Sequence, residues 1–282
     1  DKVQVKVCGL MGGHSGAEID KNRANANKLM GRFLYGLKKK ADYAIISLEG
    51  GKKDNAITRE CTAEFLTDAA DEVKAYAKEL QVQIREEYAG SDENIAIEVT
   101  EEGKACAQVL HPTSQEKIVF YLQNVPFGIQ KMSGTISGLV ETSSNIGILR
   151  LDEDELFASS SVRSSVDAAC SALSDKIEYL TEFLGGEYEV QGAYPAWEYR
   201  RESPLRDKMV EIFEEMYGHK PAVVAIHAGL ECGLFYKKME GLDCVSLGPD
   251  MKDIHTSEEV LSIASTERVW KYLLKVLENL KD

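Results

Sequence analysis

Asp1-Lys2-Val3-Gln4-Val5-Lys6-Val7 alternates polar and apolar side chains at the period of a half-buried strand, and the apolar positions that follow decide the fold. Leu29, Met30, Phe33, Leu34 and Leu37 recur at helical spacing and mark one face of a helix. Residues 43–48 read as a strand, Gly50-Gly51 and Asp54-Asn55 turn the chain, and residues 61–66 return as a strand. Val73, Tyr76, Leu80 and Ile84 then stripe a second helix ahead of the alternating Ile95, Ile97 and Val99. The order β-α-β-β-α-β is that of a ferredoxin-like split unit, two helices on one face of an antiparallel sheet.

Working outward, the next stretch is expected to repeat that order. Pro112-Thr113-Ser114 opens a helix through Ile118, Val119 and Leu122, and strands follow over 139–149 and 156–162. Val166, Ala169, Cys170, Leu173, Ile177 and Leu180 form a helical stripe, and Tyr188-Glu189-Val190 closes as a strand. A single irregular α+β domain is the alternative. Composition shifts at Gly192-Ala193-Tyr194-Pro195-Ala196-Trp197. Beyond it Ser203-Pro204 offers an N-cap with proline at the first helical position, and Leu205, Met209, Ile212, Phe213 and Met216 follow at helical spacing until Gly218. Short apolar strands over 223–226 and 245–247, a helix after Gly229 and a capped helix over 265–280 predict α/β layering with parallel strands. The expected fold class is mixed α/β and α+β: one domain over residues 1–193, with halves of about 1–104 and 105–193, and a second over 194–282. Two strands make an incomplete sheet, so the second domain reads as part of a larger one.

The 33 basic and 47 acidic side chains of the 282-residue chain give a net charge of −14, which repels nucleic acid and anionic membrane surfaces. No apolar run approaches the roughly 20 residues of a membrane helix. The six cysteines are scattered without a C-x-x-C pair and mostly sit in apolar patterns, so they read as reduced core residues and the cytoplasm as the default compartment. Phosphate-loop, dinucleotide and G-x-S-x-G nucleophile patterns are absent from the sequence.

Two loops present a histidine from a turn. His14 is flanked by Gly12, Gly13 and Gly16, which let the backbone turn sharply and approach a ligand; an ordinary glycine turn entering a helix is the other reading. His255 follows a Gly248-Pro249 turn among Asp250, Asp253, Glu258 and Glu259, either as a metal-binding imidazole with carboxylates to orient it or as part of a solvated acidic loop. Arg163, between serines at a strand-to-helix junction, can fork onto a carboxylate or stay a surface arginine. Asn145 can donate its amide to a substrate carbonyl or serve a turn or bulge. In His227-Ala228-Gly229-Leu230-Glu231-Cys232-Gly233, Glu231 can hold an ammonium group or face solvent from a first helical turn.

Taken together, Gly12-Gly13-His14-Ser15-Gly16 with Asn22-Arg23-Ala24-Asn25-Ala26, the 50–57 turn, Ser143-Ser144-Asn145-Ile146-Gly147, Val162-Arg163-Ser164-Ser165, residues 227–233 and residues 248–256 resemble, in that order, the bacterial aminoacyl-histidine dipeptidases. These belong to the two-zinc superfamily of carnosinases, aminoacylases and glutamate carboxypeptidases. The resemblance runs the length of the chain and corresponds to the latter part of such an enzyme. It implies a lid domain of ferredoxin-like halves followed by the C-terminal part of a zinc-peptidase α/β domain. It also implies two zinc ions, with cobalt or manganese able to replace them, a dipeptide substrate and a homodimer. By resemblance His255 is a metal ligand, His14 polarises the scissile carbonyl, Arg163 binds the substrate carboxylate, Asn145 contacts the substrate, and His227, Gly229 and Glu231 line its site. The family's early His-x-Asp ligands and Glu-Glu pair with the general base have no counterpart in this sequence, so the chain by itself is expected to be inactive. A related aminoacylase or carboxypeptidase, or a non-catalytic ferredoxin-like binding or oligomerisation module, are the alternatives.

Overall fold

The computed structural model describes residues 1–152, 155–225, 231–252 and 259–280, and its first strand, β1 (Lys2–Cys8), turns Val3, Val5 and Val7 inward as the alternation requires. β2 (Gly13–His14) and a 3-10 turn over Ile19–Lys21 lead to α1 (Ala26–Leu37). That helix starts where it does because the Asn25 side chain accepts hydrogen bonds from the backbone N–H groups of Asn27 and Lys28. All five striped positions of α1 are buried. β3 (Ala44–Gly50), β4 (Ala56–Ile57), β5 (Cys61–Leu66), α2 (Ala70–Glu87) and β6 (Ala96–Gly103) complete the first half. Asp71 and Glu72 in the first turn of α2 and Arg85 in its last turn match the helix dipole. The strand order β6-β1-β5-β3, antiparallel throughout, is the ferredoxin-like arrangement read from the sequence. Phe33, Leu34 and Leu37 of α1, Val73, Leu80 and Ile84 of α2, and Ile45 and Phe65 of the sheet share one core. Each such buried side chain contributes about 1.5–3 kcal/mol.

α3 (Pro112–Asn124), β7 (Gly128–Met132), β8 (Val140–Leu151), β9 (Leu156–Ser164) and α4 (Asp167–Phe183) follow. The strands of this half join the same seven-stranded sheet. Leu151, Arg150 and Leu149 of β8 pair with Leu48, Glu49 and Gly50 of β3, while β7 takes residues 140–144 and β9 runs along the length of β8. Residues 188–190, expected as a closing strand, form none. In a split unit that strand would pair with the unit's own first strand, and residues 105–111 ahead of α3 are not a strand. Tyr188 instead bonds Ser174 of α4 through its hydroxyl at 2.6 Å. β7, whose five residues are mostly exposed, carries too little apolar alternation to be read in advance. α3 docks on α1 where Gly31 leaves no room for a Cβ beside Leu122. The Lys28 ammonium donates to the carbonyls of Leu122, Gln123 and Val125 at the end of α3, at 2.5, 3.2 and 2.9 Å. Burial pushes its pKa down to about 8.

The chain divides into two compact units, one ending at Gly192 and the other starting at Ala193. In the second, α5 (Pro204–Tyr217) begins at Ser203, whose hydroxyl accepts from the Arg206 amide at 3.1 Å, and ends at Gly218. α6 (Glu231–Lys238), β10 (Met251–Lys252), β11 (Val260–Leu261) and α7 (Ile263–Asn279) follow. Met209 and Ile212 of α5 pack with Tyr272 and Val276 of α7, and the Tyr272 hydroxyl donates to the Met209 carbonyl at 2.7 Å. The parallel strands expected over 223–226 and 245–247 do not form among their described residues. A lone parallel pair is too small a sheet to stand by itself, and Val223, Val224 and Leu247 are left exposed. The strand pair present here is the antiparallel β10–β11. All six cysteines are free, but only Cys8 and Cys61 are buried and Cys106 is exposed, which corrects their reading as core residues. No helix among the described residues is long and apolar enough to cross a membrane.

Candidate functional site

His14 ends β2, which pairs antiparallel with β4 so that Gly13 faces Ile57 and His14 faces Ala56. The Ser15 amide adds a bond to the Asn55 carbonyl at 2.9 Å. On the other side the His14 amide donates to Glu18 Oε2 at 2.9 Å, Glu18 Oε1 meets Arg23 Nη1 at 2.8 Å, and Arg23 donates to the Gly12 carbonyl. Glycine suits position 13: its φ of +139° is one that other residues rarely adopt, and a Cβ there would displace the ends of the Arg23 and Glu18 side chains, 2.2 Å from Nη1 and 2.7 Å from Oε2. The bond from the His14 amide holds the Glu18 carboxyl below its usual pKa against the opposing cost of burial, and Arg23 adds to the lowering.

The imidazole is anchored as well. His14 Nδ1 accepts hydrogen bonds from the amides of Gly16 at 3.1 Å and Ala17 at 3.0 Å. A ring nitrogen that accepts cannot also carry the proton, so in the neutral ring the proton is on Nε2, which is therefore a donor.

Asn145 lies on β8 and is fully buried. Its Nδ2 donates to the carbonyls of Ala56 at 2.8 Å and Asp54 at 3.4 Å, and its Oδ1 accepts from Asn25 Nδ2 at 3.0 Å. These bonds tie β8 to the turn over residues 54–56. Ser143 faces Arg163 and Asn145 faces Ser161 across β8 and β9. Side chains alternate along strands, so residues 143, 145, 161 and 163 share the sheet face toward which the 54–56 turn is held. The Nε of Arg163 is buried and has no hydrogen-bond partner among the described residues.

Glu231 opens α6 and is exposed, the solvent-facing first-turn position that the dipole favours. His227, Gly229 and His255 lie outside the described residues. Among the described residues no group of three or more His, Cys, Asp and Glu side chains could hold a metal ion. Sequence reasoning gave no role to Glu18, Arg23 or Asn25. The spacing of Glu18 four residues beyond His14 was the one local signal.

The site-bearing unit has known relatives. Residues 5–92 match the family model of the M20 peptidase dimerisation domain. Over 274 residues the chain is 32% identical to the cytosol non-specific dipeptidase of Escherichia coli K12, covering 96% of this chain and 56% of that protein. The crystal structure of aminoacylhistidine dipeptidase from Vibrio alginolyticus superposes with a TM-score of 0.91 at 32% identity, over 100% of this chain and 58% of that one. The chain thus spans a little over half the length of each dipeptidase. The residues matching the dimerisation-domain model include His14, Asn25 and the 54–56 turn, whereas Asn145 and Arg163 lie beyond them.

Proposed function

We propose that residues 1–193 are the lid, and residues 194–282 the C-terminal part of the catalytic domain, of a metal-dependent dipeptidase that hydrolyses Xaa-His and related dipeptides. The relatives' names, an aminoacylhistidine dipeptidase and a non-specific cytosolic dipeptidase, support this substrate class and the cytoplasm as its compartment. The dimerisation domain supports a homodimer. The observation that carries the reading is the anchored His14 ring. Its Nε2–H donates to the scissile carbonyl oxygen and stabilises the negative charge that develops there. The ring is already oriented by two backbone amides, so little reorganisation accompanies the reaction. Arg163 takes the free carboxylate of the dipeptide; the substrate-lining role of His227, Gly229 and Glu231 rests on the resemblance alone.

Zinc, with His255 as one ligand, enters through resemblance. The described residues do not by themselves fit a metal centre. The chain alone is expected to be inactive, because by resemblance the general base belongs to the part of the relatives that it does not match.

The test uses the complete enzyme with an Xaa-His dipeptide and the same dipeptide amidated at its C-terminus. His14→Ala lowers kcat about 10²–10³-fold with metal content unchanged. Arg163→Ala raises KM for the free dipeptide and leaves the amide unaffected. Retention of kcat in His14→Ala would refute the reading.

A further inference from the structure

Four polar side chains, Asn25, Asn27, Thr58 and Asn145, are buried together in the first unit. Buried amides and hydroxyls are costly unless their hydrogen bonds are made, and here the bonds tie three separate segments together. At the start of α1, Asn25 caps the helix with Oδ1 and donates from Nδ2 to Asn145 Oδ1 at 3.0 Å and the Ile146 carbonyl at 2.9 Å. In the turn, the Thr58 hydroxyl lies 3.1 and 3.0 Å from the carbonyls of Ile146 and Gly147, and Asn27 Nδ2 donates to Thr58 Oγ1 at 3.2 Å. The Thr58 carbonyl in turn accepts from the Ala26 amide at 2.9 Å. From β8, Asn145 reaches the Asp54 and Ala56 carbonyls. The backbones meet so closely that a Cβ on Gly147 would lie 2.4 Å from the Asp54 carbonyl oxygen. The turn then passes this fixed position to His14, through the Ala56–His14 pairing and the bond between Ser15 and Asn55.

We propose that Asn145 and Asn25 are positioning residues: the amide clasp between them sets the 54–56 turn and, through it, the position from which His14 donates its hydrogen bond. This rests on the proposed role of His14 and replaces direct substrate contact by Asn145. Asn145 acts at one remove, through the Ala56 carbonyl. An apolar residue would fill the same space, but only an amide both grips two turn carbonyls and accepts from Asn25.

The decisive variant is Asn145→Asp, which keeps the acceptor for Asn25 and removes the two donated bonds to the turn. Asn25→Asp is its counterpart, keeping the α1 cap and losing the clasp. In the complete enzyme each is expected to lower kcat roughly 10- to 100-fold with little change in KM, as a displaced catalytic donor does. Combined with His14→Ala, neither should lower kcat further, because both changes then act on the same lost interaction. A merely structural residue would add its cost in full. In the 282-residue chain, amide exchange at Ser15 should speed at least about tenfold while exchange at Phe33 and Val73 stays at wild-type rates.

A raised KM with kcat intact would overturn the proposal in favour of substrate contact. Unchanged Ser15 exchange in both variants, additive loss on top of His14→Ala, or failure of both variants to fold would overturn it in favour of general stability. If His14→Ala itself is fully active, the proposed function fails, while the Ser15 exchange still reports whether the clasp sets the turn.

Discussion

The two units of this chain handle apolar surface differently. In the first, every striped position of α1 and α2 is buried in a core shared with the sheet, and Phe33, Leu34, Leu37, Ile45 and Phe65 have no exposed surface. In the second, four side chains form the buried core, while Ile263 is 87%, Val224 74% and Trp270 59% exposed. Leu261, Ile263, Thr266, Glu267 and Trp270 line a shallow groove there. Both units carry well-formed amphipathic, capped helices. The difference teaches that an apolar stripe specifies a helix without specifying what covers the stripe. The residues of the proposed site, His14, Asn145 and Arg163, belong to the unit whose core is closed, where a side chain can be held to the fraction of an ångström that the proposed chemistry needs.

Mutations can break or sharpen that comparison. Phe33→Ala in the first unit should cost about 3–5 kcal/mol in denaturant unfolding. By contrast Trp270→Ser in the second should stay within about 0.5 kcal/mol. A large loss at Trp270 would mean that its face is covered in solution, and the contrast would fail. Lys28→Met removes the ammonium from the last carbonyls of α3 and should cost about 1–3 kcal/mol, read as a lower unfolding midpoint with unchanged m. If Lys28→Met is neutral, the α1–α3 contact holds by apolar packing at Gly31 and Leu122 alone.

A small, pH-dependent effect concerns Glu18. Its folded carboxyl has a lower pKa than the unfolded one, chiefly through the His14 amide. Ionised Glu18 therefore stabilises the loop above the ordinary carboxylate pKa, and that contribution fades as pH falls through the lower folded value. Because the pair is partly exposed, the size is less than about 1 kcal/mol. Amide exchange at His14 should rise on acidification in the wild type and be flat with pH, beyond intrinsic exchange, in Glu18→Gln.

Much of the first half was legible because its periodicities are long and its faces unambiguous. The alternation of Val3, Val5 and Val7 and the stripes of α1 and α2 each state which side is buried. The second half was legible in its helices and less so in its strands. The strand expected over 188–190 fails for want of a neighbour, and β7 was not foreseen because its side chains are mostly exposed. In the site, glycines around His14 signalled a special turn, yet nothing local marked Asn25 as the partner of Asn145.

By itself, the sequence determined the ferredoxin-like order of residues 1–103, the Ser203-Pro204 start of α5 and the residue types gathered around His14, since these depend on neighbours within a few positions. Tertiary structure alone decided that β8 extends the sheet from β3, that Asn145 turns its amide to the 54–56 turn, and that Arg163 shares its face. The reason is physical: spacing encodes which side of an element avoids water, whereas a hydrogen bond between residues 120 positions apart exists only once strand register has brought them together. The tautomer of His14 is intermediate, written within the four residues 14–17 but made only when the turn is held.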